Sequence, residues 1–331
     1  MPRFVKYDPI SDTVQLIGTI DPKPVYLLGG RKKICAYDGT KIAVYDGTRI
    51  YQWSLSETLT DCKDYILTIS GSTLKLYNLD GSLYKTFTLS LAPKWASLQL
   101  LDTARRIVVL YGSDKKGAVD VLDIDTGNIT TVSMYADAPY TFSDCNDDGN
   151  CVIQAFIWKK ADGTYGYNYD ILTPGLSYIS CNRGHLSIRF ACKIVGGKGG
   201  FSYCWEQNNA LTGVDFLNWS CQSYLQDTVN ASYDNPCTTG ASQYVGFGNR
   251  DSGRFIVVKT DGTKVSIALA YSFSFGYCTE YGDGTKTLCI VIDKSNNIRR
   301  VLIDRSAGNI IDDKILLTLG FTPTLWKPVP F

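Results

Sequence analysis

One arrangement recurs from one end of this chain to the other: a short run of alternating apolar and polar residues, a turn built on Asp and Gly, and a second alternating run. Lys41 to Trp53 (KIAVYDGTRIYQW), Thr73 to Phe87 (TLKLYNLDGSLYKTF), Ala118 to Val132 (AVDVLDIDTGNITTV), Arg254 to Leu269 (RFIVVKTDGTKVSIAL) and Ile298 to Ile311 (IRRVLIDRSAGNII) all have this form. Each reads as a β-hairpin whose turn uses Gly for its positive φ. The turn centres fall near Pro9, Asp46, Asp80, Asp125, Thr173, Asp215, Asp261 and Asp304, so the successive gaps are 37, 34, 45, 48, 42, 46 and 43 residues. A period of about 40–45 residues leaves room for roughly four strands in each repeat. Solenoid repeats of about 20–30 residues do not fit it. A sandwich of the immunoglobulin kind would need about 100 residues per domain, and no linker divides the chain that way.

The composition agrees with strands and turns. Of 32 acidic residues only Glu57, Glu206 and Glu280 are Glu; the other 29 are Asp. Glu supports helices, whereas the short Asp side chain bonds to nearby backbone N–H groups and favours turns. With 22 Tyr and 30 Gly besides, helix is expected to be almost absent.

The formal charge is +1, and the basic pairs, such as Arg105-Arg106 and Lys159-Lys160, are scattered. That is not the concentrated basic face of a nucleic-acid binder. The N-terminus MPRFVKYDPISDT has no apolar signal region. No run reaches the roughly 18 apolar residues of a spanning helix, so a soluble protein without membrane insertion is expected.

Divided at its turns, the chain gives seven units of about four strands, at 24–55, 57–90, 95–134, 139–181, 187–224, 229–271 and 273–312. This pattern resembles the β-propeller superfamily over essentially the whole chain. The resemblance implies one all-β domain over 1–331, in which the ends 1–20 and 313–331 pair to close a ring that would otherwise leave exposed edges. Seven blades is the expected count, with eight as the alternative. The signatures of particular families are missing: His185 is the one His, no Trp precedes Asp, and no sialidase Asp-box occurs. The resemblance therefore carries a fold and no activity.

The loop Asp144-Cys145-Asn146-Asp147-Asp148-Gly149-Asn150-Cys151 resembles the opening half of a calcium loop. Its oxygen ligands would be Asp144, Asn146, Asp148 and Asn150, with Gly149 allowing the sharp turn. The later ligand positions hold Val152 and Ala155, which speaks for a plain polar turn. Calcium is the one ion this sequence suggests, and no other cofactor is expected. Eleven Cys leave at least one thiol without an intrachain partner. The pairable positions are Cys145 with Cys151, Cys192 with Cys204, and Cys278 with Cys289, the last two pairs falling on adjacent expected strands. Tetrahedral zinc is not expected from one His and no paired C-x-x-C motifs. His185 near Asp170 invites a general-base reading, but no nucleophile motif accompanies it. Four of the six Trp lie in strand runs, where packing between blades accounts for them.

Two functions follow. The first is a non-enzymatic structural or interaction propeller that presents loops to a protein or glycan partner, as part of a virion or surface assembly. The alternative is a propeller hydrolase or lyase acting on a sugar or lactone, calcium-dependent through Asp144, Asn146 and Asp148. The first requires an apolar or aromatic patch on one face; the second requires carboxylates that converge at the centre of the ring.

Overall fold

Asp residues close the hairpins because one methylene places the carboxylate within reach of the backbone N–H groups two and three residues on. Asp46 Oδ1 accepts from the N–H groups of Thr48 (2.8 Å) and Arg49 (2.9 Å), and Asp38 Oδ1 accepts from those of Thr40 (2.9 Å) and Lys41 (2.7 Å). Asp80, Asp123, Asp293 and Asp304 do the same in other turns. A computed structural model describes residues 3–8, 10–22, 26–30, 33–93, 98–134, 140–145, 149, 151–159, 165–181, 193–195, 201–205, 210–215, 222–223, 227–228, 244–249, 253–259, 264–281, 285–304 and 306–323. Among these residues the one helical element is a 3-10 turn at Ser113–Lys115.

The described residues group into two compact units. The first begins with a hairpin of Arg3–Asp8 and Thr13–Thr19, followed by four antiparallel meanders. Sheet I comprises Tyr26–Gly30, Lys33–Tyr37, Lys41–Tyr45 and Ile50–Ser54. Sheet II comprises Thr58–Cys62, Ile66–Ser70, Thr73–Tyr77 and Leu83–Thr88. Sheet III comprises Leu98–Leu101, Arg106–Val109, Ala118–Asp123 and Ile129–Ser133. Sheet IV comprises Tyr140–Cys145, Cys151–Lys159, Tyr165–Leu172 and Tyr178–Cys181.

The second unit holds three sheets. Sheet V contains Lys193–Val195, Phe201–Trp205, Ala210–Asp215 and Gln222–Ser223, with Asp227–Thr228 also on the third strand. Sheet VI contains Tyr244–Asn249, Arg254–Lys259 and Lys264–Ala268, and sheet VII contains Phe273–Tyr281, Lys286–Asp293, Asn297–Asp304 and Asn309–Thr318.

In the first unit, the first strands of successive sheets lie side by side. The inner strands are buried along nearly their whole length because neighbouring sheets cover both of their faces. Lys41–Tyr45 is buried at every position after the first, and Ala118–Asp123 at every position before the last. One interior lies between sheets II and III, with Leu74, Leu76, Phe87, Leu100, Ile107 and Leu122. Another lies between III and IV, with Val108, Val121, Val132, Cys151, Ile153 and Leu172. Each such aliphatic side chain, fully buried, is worth about 1.5–3 kcal/mol relative to exposure. The terminal hairpin covers the open face of sheet I: Phe4, Ile17 and Ile20 pack on Ala36, Ala43 and Tyr45. In the second unit Ile267 and Leu269 pack on Phe273, Val291, Val301 and Ile303.

Near the termini, Arg3–Asp8 pairs with Thr13–Thr19, and the last strand, Asn309–Thr318, pairs along Asn297–Asp304 as far as residue 318. There Asp313 accepts from Arg299 Nε (3.0 Å) and Asp312 pairs with Arg300. Pairing between the two ends of the chain is absent among the described residues.

Trp53, on the outer strand of sheet I, shows how the sheets lock together. Its Nε1 donates to Leu79 O (3.2 Å) and its ring packs on Tyr77. Gly81 has φ 89°, and a Cβ there would stand 2.8 Å from Trp53 Cγ. Gly81→Ala therefore carries both backbone strain and a clash, and is expected to lower stability by about 1–3 kcal/mol in urea unfolding.

Candidate functional site

The alternation of strands puts the first–second turn of every sheet at the same end as the third–fourth turn. At that end of sheets I to III, carboxylates and lysines gather at the innermost strands. Asp61 closes the first strand of sheet II, where its Oδ1 accepts from the Cys62 N–H (2.8 Å). Its Oδ2 accepts from the Leu100 N–H in the first strand of sheet III (2.8 Å). Lys63 Nζ donates to Leu100 O (2.5 Å). Asp102 is buried, and its Oδ2 accepts from the Asp64 N–H (3.0 Å). Asp64 in turn pairs with Lys33 of sheet I. Each carboxylate thus holds the backbone or a lysine of an adjacent sheet.

A second buried acid, Asp120, lies on the third strand of sheet III. Lys115 Nζ donates to it at 2.5 Å and Thr131 Oγ1 at 2.6 Å. Lys115 also stands over the buried Tyr111 ring. Burial first, and the Asp120 charge second, hold the Tyr111 phenol above its ordinary range. This network joins strands within one sheet.

Two disulfides join pairs of cysteines whose side chains are both described. Cys35 and Cys62 are fully buried and join sheet I to the first strand of sheet II, with Cα atoms 6.3 Å apart. Cys145 and Cys151 stand opposite each other in register and are bonded, with Cα atoms 4.0 Å apart. Gly149 lies in the loop they close, at φ 98°; a Cβ there would sit 3.5 Å from Ala104 Cβ and 3.6 Å from Pro174 Cα. Cys289 is buried and disulfide-bonded, and its register partner is Cys278. All the cysteines whose side chains are described are thus disulfide-bonded.

The other sequence candidates are placed as follows. Asp144, next to last in the first strand of sheet IV, stands opposite Val152 and is described by its backbone only. Asn146, Asp148 and Asn150 lie outside the described residues, as do Cys192 and His185. The Cys204 backbone pairs with Thr212. Asp170 is buried on the third strand of sheet IV. Among the described residues no group of three or more His, Cys, Asp or Glu is placed to hold a metal ion. Sequence reading missed Asp61, Asp102 and the Cys35–Cys62 bond. One signal was present: Asp61-Cys62 and Asp144-Cys145 are the same pair at the end of a first strand.

No protein-family model matches this sequence, and no curated protein matches it. Solved structures do. Apo AztD from Citrobacter koseri is similar at a TM-score of 0.55 and 13% identity, over 92% of this chain and 90% of that one. The WD40 domain of Toxoplasma gondii coronin gives 0.52 and 10% identity, over 86% and 82%. Dihydro-heme d1 dehydrogenase NirN in complex with DHE gives 0.53 and 10% identity over 89% of this chain, which spans only 65% of the NirN chain. At such identities the likeness shows a fold, that of the β-propeller. A dehydrogenase and a WD40 domain share it, so it assigns no activity. Among the described residues no helix is long and apolar enough to cross a membrane.

The turn carboxyls predict an acid limit. Backbone donors, chiefly from Lys41 and Thr40, lower Asp38, and those of Thr126 lower Asp123. Partial burial pushes Asp46 up, but Thr48, Arg49 and Tyr51 outweigh it and leave it low. Stability from carboxyls so depressed is fully present above about pH 4, where unfolded Asp is ionised. It is lost as pH falls through their lower folded values. The urea midpoint should hold from pH 7 to 5 and drop by pH 3, less steeply in Asp46→Asn. Separately, Cys35→Ala with Cys62→Ala is expected to cost about 2–4 kcal/mol in the same assay.

Proposed function

We propose that residues 1–331 form a single seven-bladed β-propeller, closed through its terminal segments, that works as a non-enzymatic interaction scaffold. It presents its turns and outer strands to a protein or glycan partner within a virion or other extracellular assembly. The observation that carries this reading is the use made of the carboxylates at the innermost strands. Asp61, Asp64 and Asp102 serve as clips between sheets, and the turn Asp residues are taken up by their own backbones. Such a frame is rigid at its turns, which suits recognition by a preformed surface. The disulfides support an oxidising destination, because reducing compartments keep such thiols reduced.

A second reading has one observation in its favour. The Cys145–Cys151 bond clamps the loop that carries Asn146, Asp148 and Asn150, and a clamped loop would hold calcium for a hydrolase or lyase acting on a sugar or lactone. Native mass spectrometry of the protein from its natural source, with and without a chelator, separates the two. A complex with a partner that survives chelation is the expected result. A monomer that loses a calcium-sized mass on chelation would replace the scaffold reading with the second.

A further inference from the structure

Four side chains from four separate segments meet at the surface between sheets II and III. Tyr65 belongs to the first turn of sheet II and Tyr84 to its outer strand, while Arg105 closes the first turn of sheet III and Asp125 lies in its last turn. The rings of Tyr65 and Tyr84 pack with centroids 4.6 Å apart. Arg105 stands over the Tyr65 ring at 5.9 Å and donates to Tyr84 Oη at 3.2 Å. Its Nη2 and Nε also donate to Asp125 Oδ1 and Oδ2, at 2.6 and 2.7 Å. Direct contacts thus run through all four residues and make them one patch.

Stability does not account for this arrangement. In the last turns of sheets I, II and III a positive φ falls to Gly47, Gly81 and Gly127, which have no Cβ to resist it. Arg105 also has a positive φ, 50°, where a residue with a side chain is strained. In return it makes a pair whose side chains are 36% and 54% exposed, and such a pair adds little net stability. Sheets II and III are already held by the interior that contains Leu74, Leu100 and Leu122 and by the Asp61 and Lys63 bonds. Strain kept at a surface position collects at binding and catalytic sites.

What the patch can bind follows from what it leaves open. Tyr84 packs on Tyr65 and is still 42% exposed, so ring surface remains for a ligand. Its hydroxyl accepts from Arg105 and keeps its own proton to donate, and Asp125 keeps carboxylate lone pairs in water. Asp125 neutralises Arg105, and Lys85 beside them donates to the carbonyls of Ile124 (2.6 Å) and Asp125 (2.7 Å). A nucleic-acid strand also stacks on aromatic rings, but its phosphates need cations that are not already paired. A stable protein contact takes about 20–30 residues a side, and four side chains fall far short of that. A sugar ring matches on each count. Its hydroxyls both accept and donate, it carries no charge, and the C–H bonds of one face pack on the electron-rich face of an aromatic ring.

We propose that this patch holds one neutral pyranose unit of a glycan, stacked on the Tyr84 ring and bonded through its hydroxyls to Asp125 and to the Tyr84 hydroxyl. Arg105 positions both groups. The proposal rests on the scaffold reading above and selects a glycan as the partner.

Saturation-transfer NMR of the full chain with the methyl glycosides of glucose, galactose, mannose and N-acetylglucosamine tests it. Each is taken to about 20 mM, which covers the millimolar affinity of one small ligand on an open patch. At least one should bind, with its ring C–H protons the most strongly saturated. Tyr84→Ala, melting as the wild type does, should weaken that binding at least about tenfold. Tyr84→Phe, which keeps the ring on Tyr65, should cost less. Tyr178→Ala, on a residue 40% exposed in the outer strand of sheet IV, should change nothing. No binding by any of the four, binding indifferent to Tyr84→Ala, or an equal loss in Tyr178→Ala overturns the proposal. A chain that binds no glycoside yet carries a protein partner in native mass spectrometry overturns it while leaving the scaffold reading standing.

Discussion

Sheets I, II and III each have two apolar faces, and most of the first unit's architecture follows from the need to cover both. A hairpin or meander with one face dry and the other in water would alternate strictly. The third strands of sheets I and III do not, because each face meets a neighbouring sheet. No sheet here would be stable alone, since half of its apolar surface would be wet. The terminal hairpin obeys the same demand on sheet I, where Phe4, Ile17 and Ile20 supply a cover that no preceding sheet provides.

Directional bonds then fix the stacked sheets in place. Apolar packing tolerates sliding, whereas Asp61 on the Leu100 N–H, Asp102 on the Asp64 N–H and Lys63 on Leu100 O do not. These bonds sit where the innermost strands end, and the Cys35–Cys62 bond pins the same region covalently. Chemistry and structure are in competition for these carboxylates. Asp61 and Asp102 each accept from a backbone N–H of a neighbouring sheet, so the acids gathered most like an active site hold sheets together.

How much of this could be read beforehand depended on the range of the interaction. The turns were legible because their cause is local: Asp46-Gly47-Thr48 carries donor, acceptor and positive φ within a few residues. The spans of the sheets followed from the turns. The last strand runs to Thr318, six residues past the boundary read from the turns, where Arg299 and Arg300 of the neighbouring strand pair with Asp313 and Asp312. The Cys35–Cys62 bond was equally invisible, since it joins residues 27 apart on two different sheets. Cys145 and Cys151 flank a single short loop, which is why their proximity could be anticipated.

The sequence by itself determined the strand-and-turn character, the period of the repeat and the placing of the hairpins. These depend on Asp, Gly and alternating apolar residues acting over a few positions. Only the tertiary structure decided which carboxylates hold neighbouring sheets, which cysteines bridge them, and which tyrosines gather at Arg105. Those outcomes depend on what stands across a gap between sheets, and the amino-acid order within one strand carries no record of its neighbour.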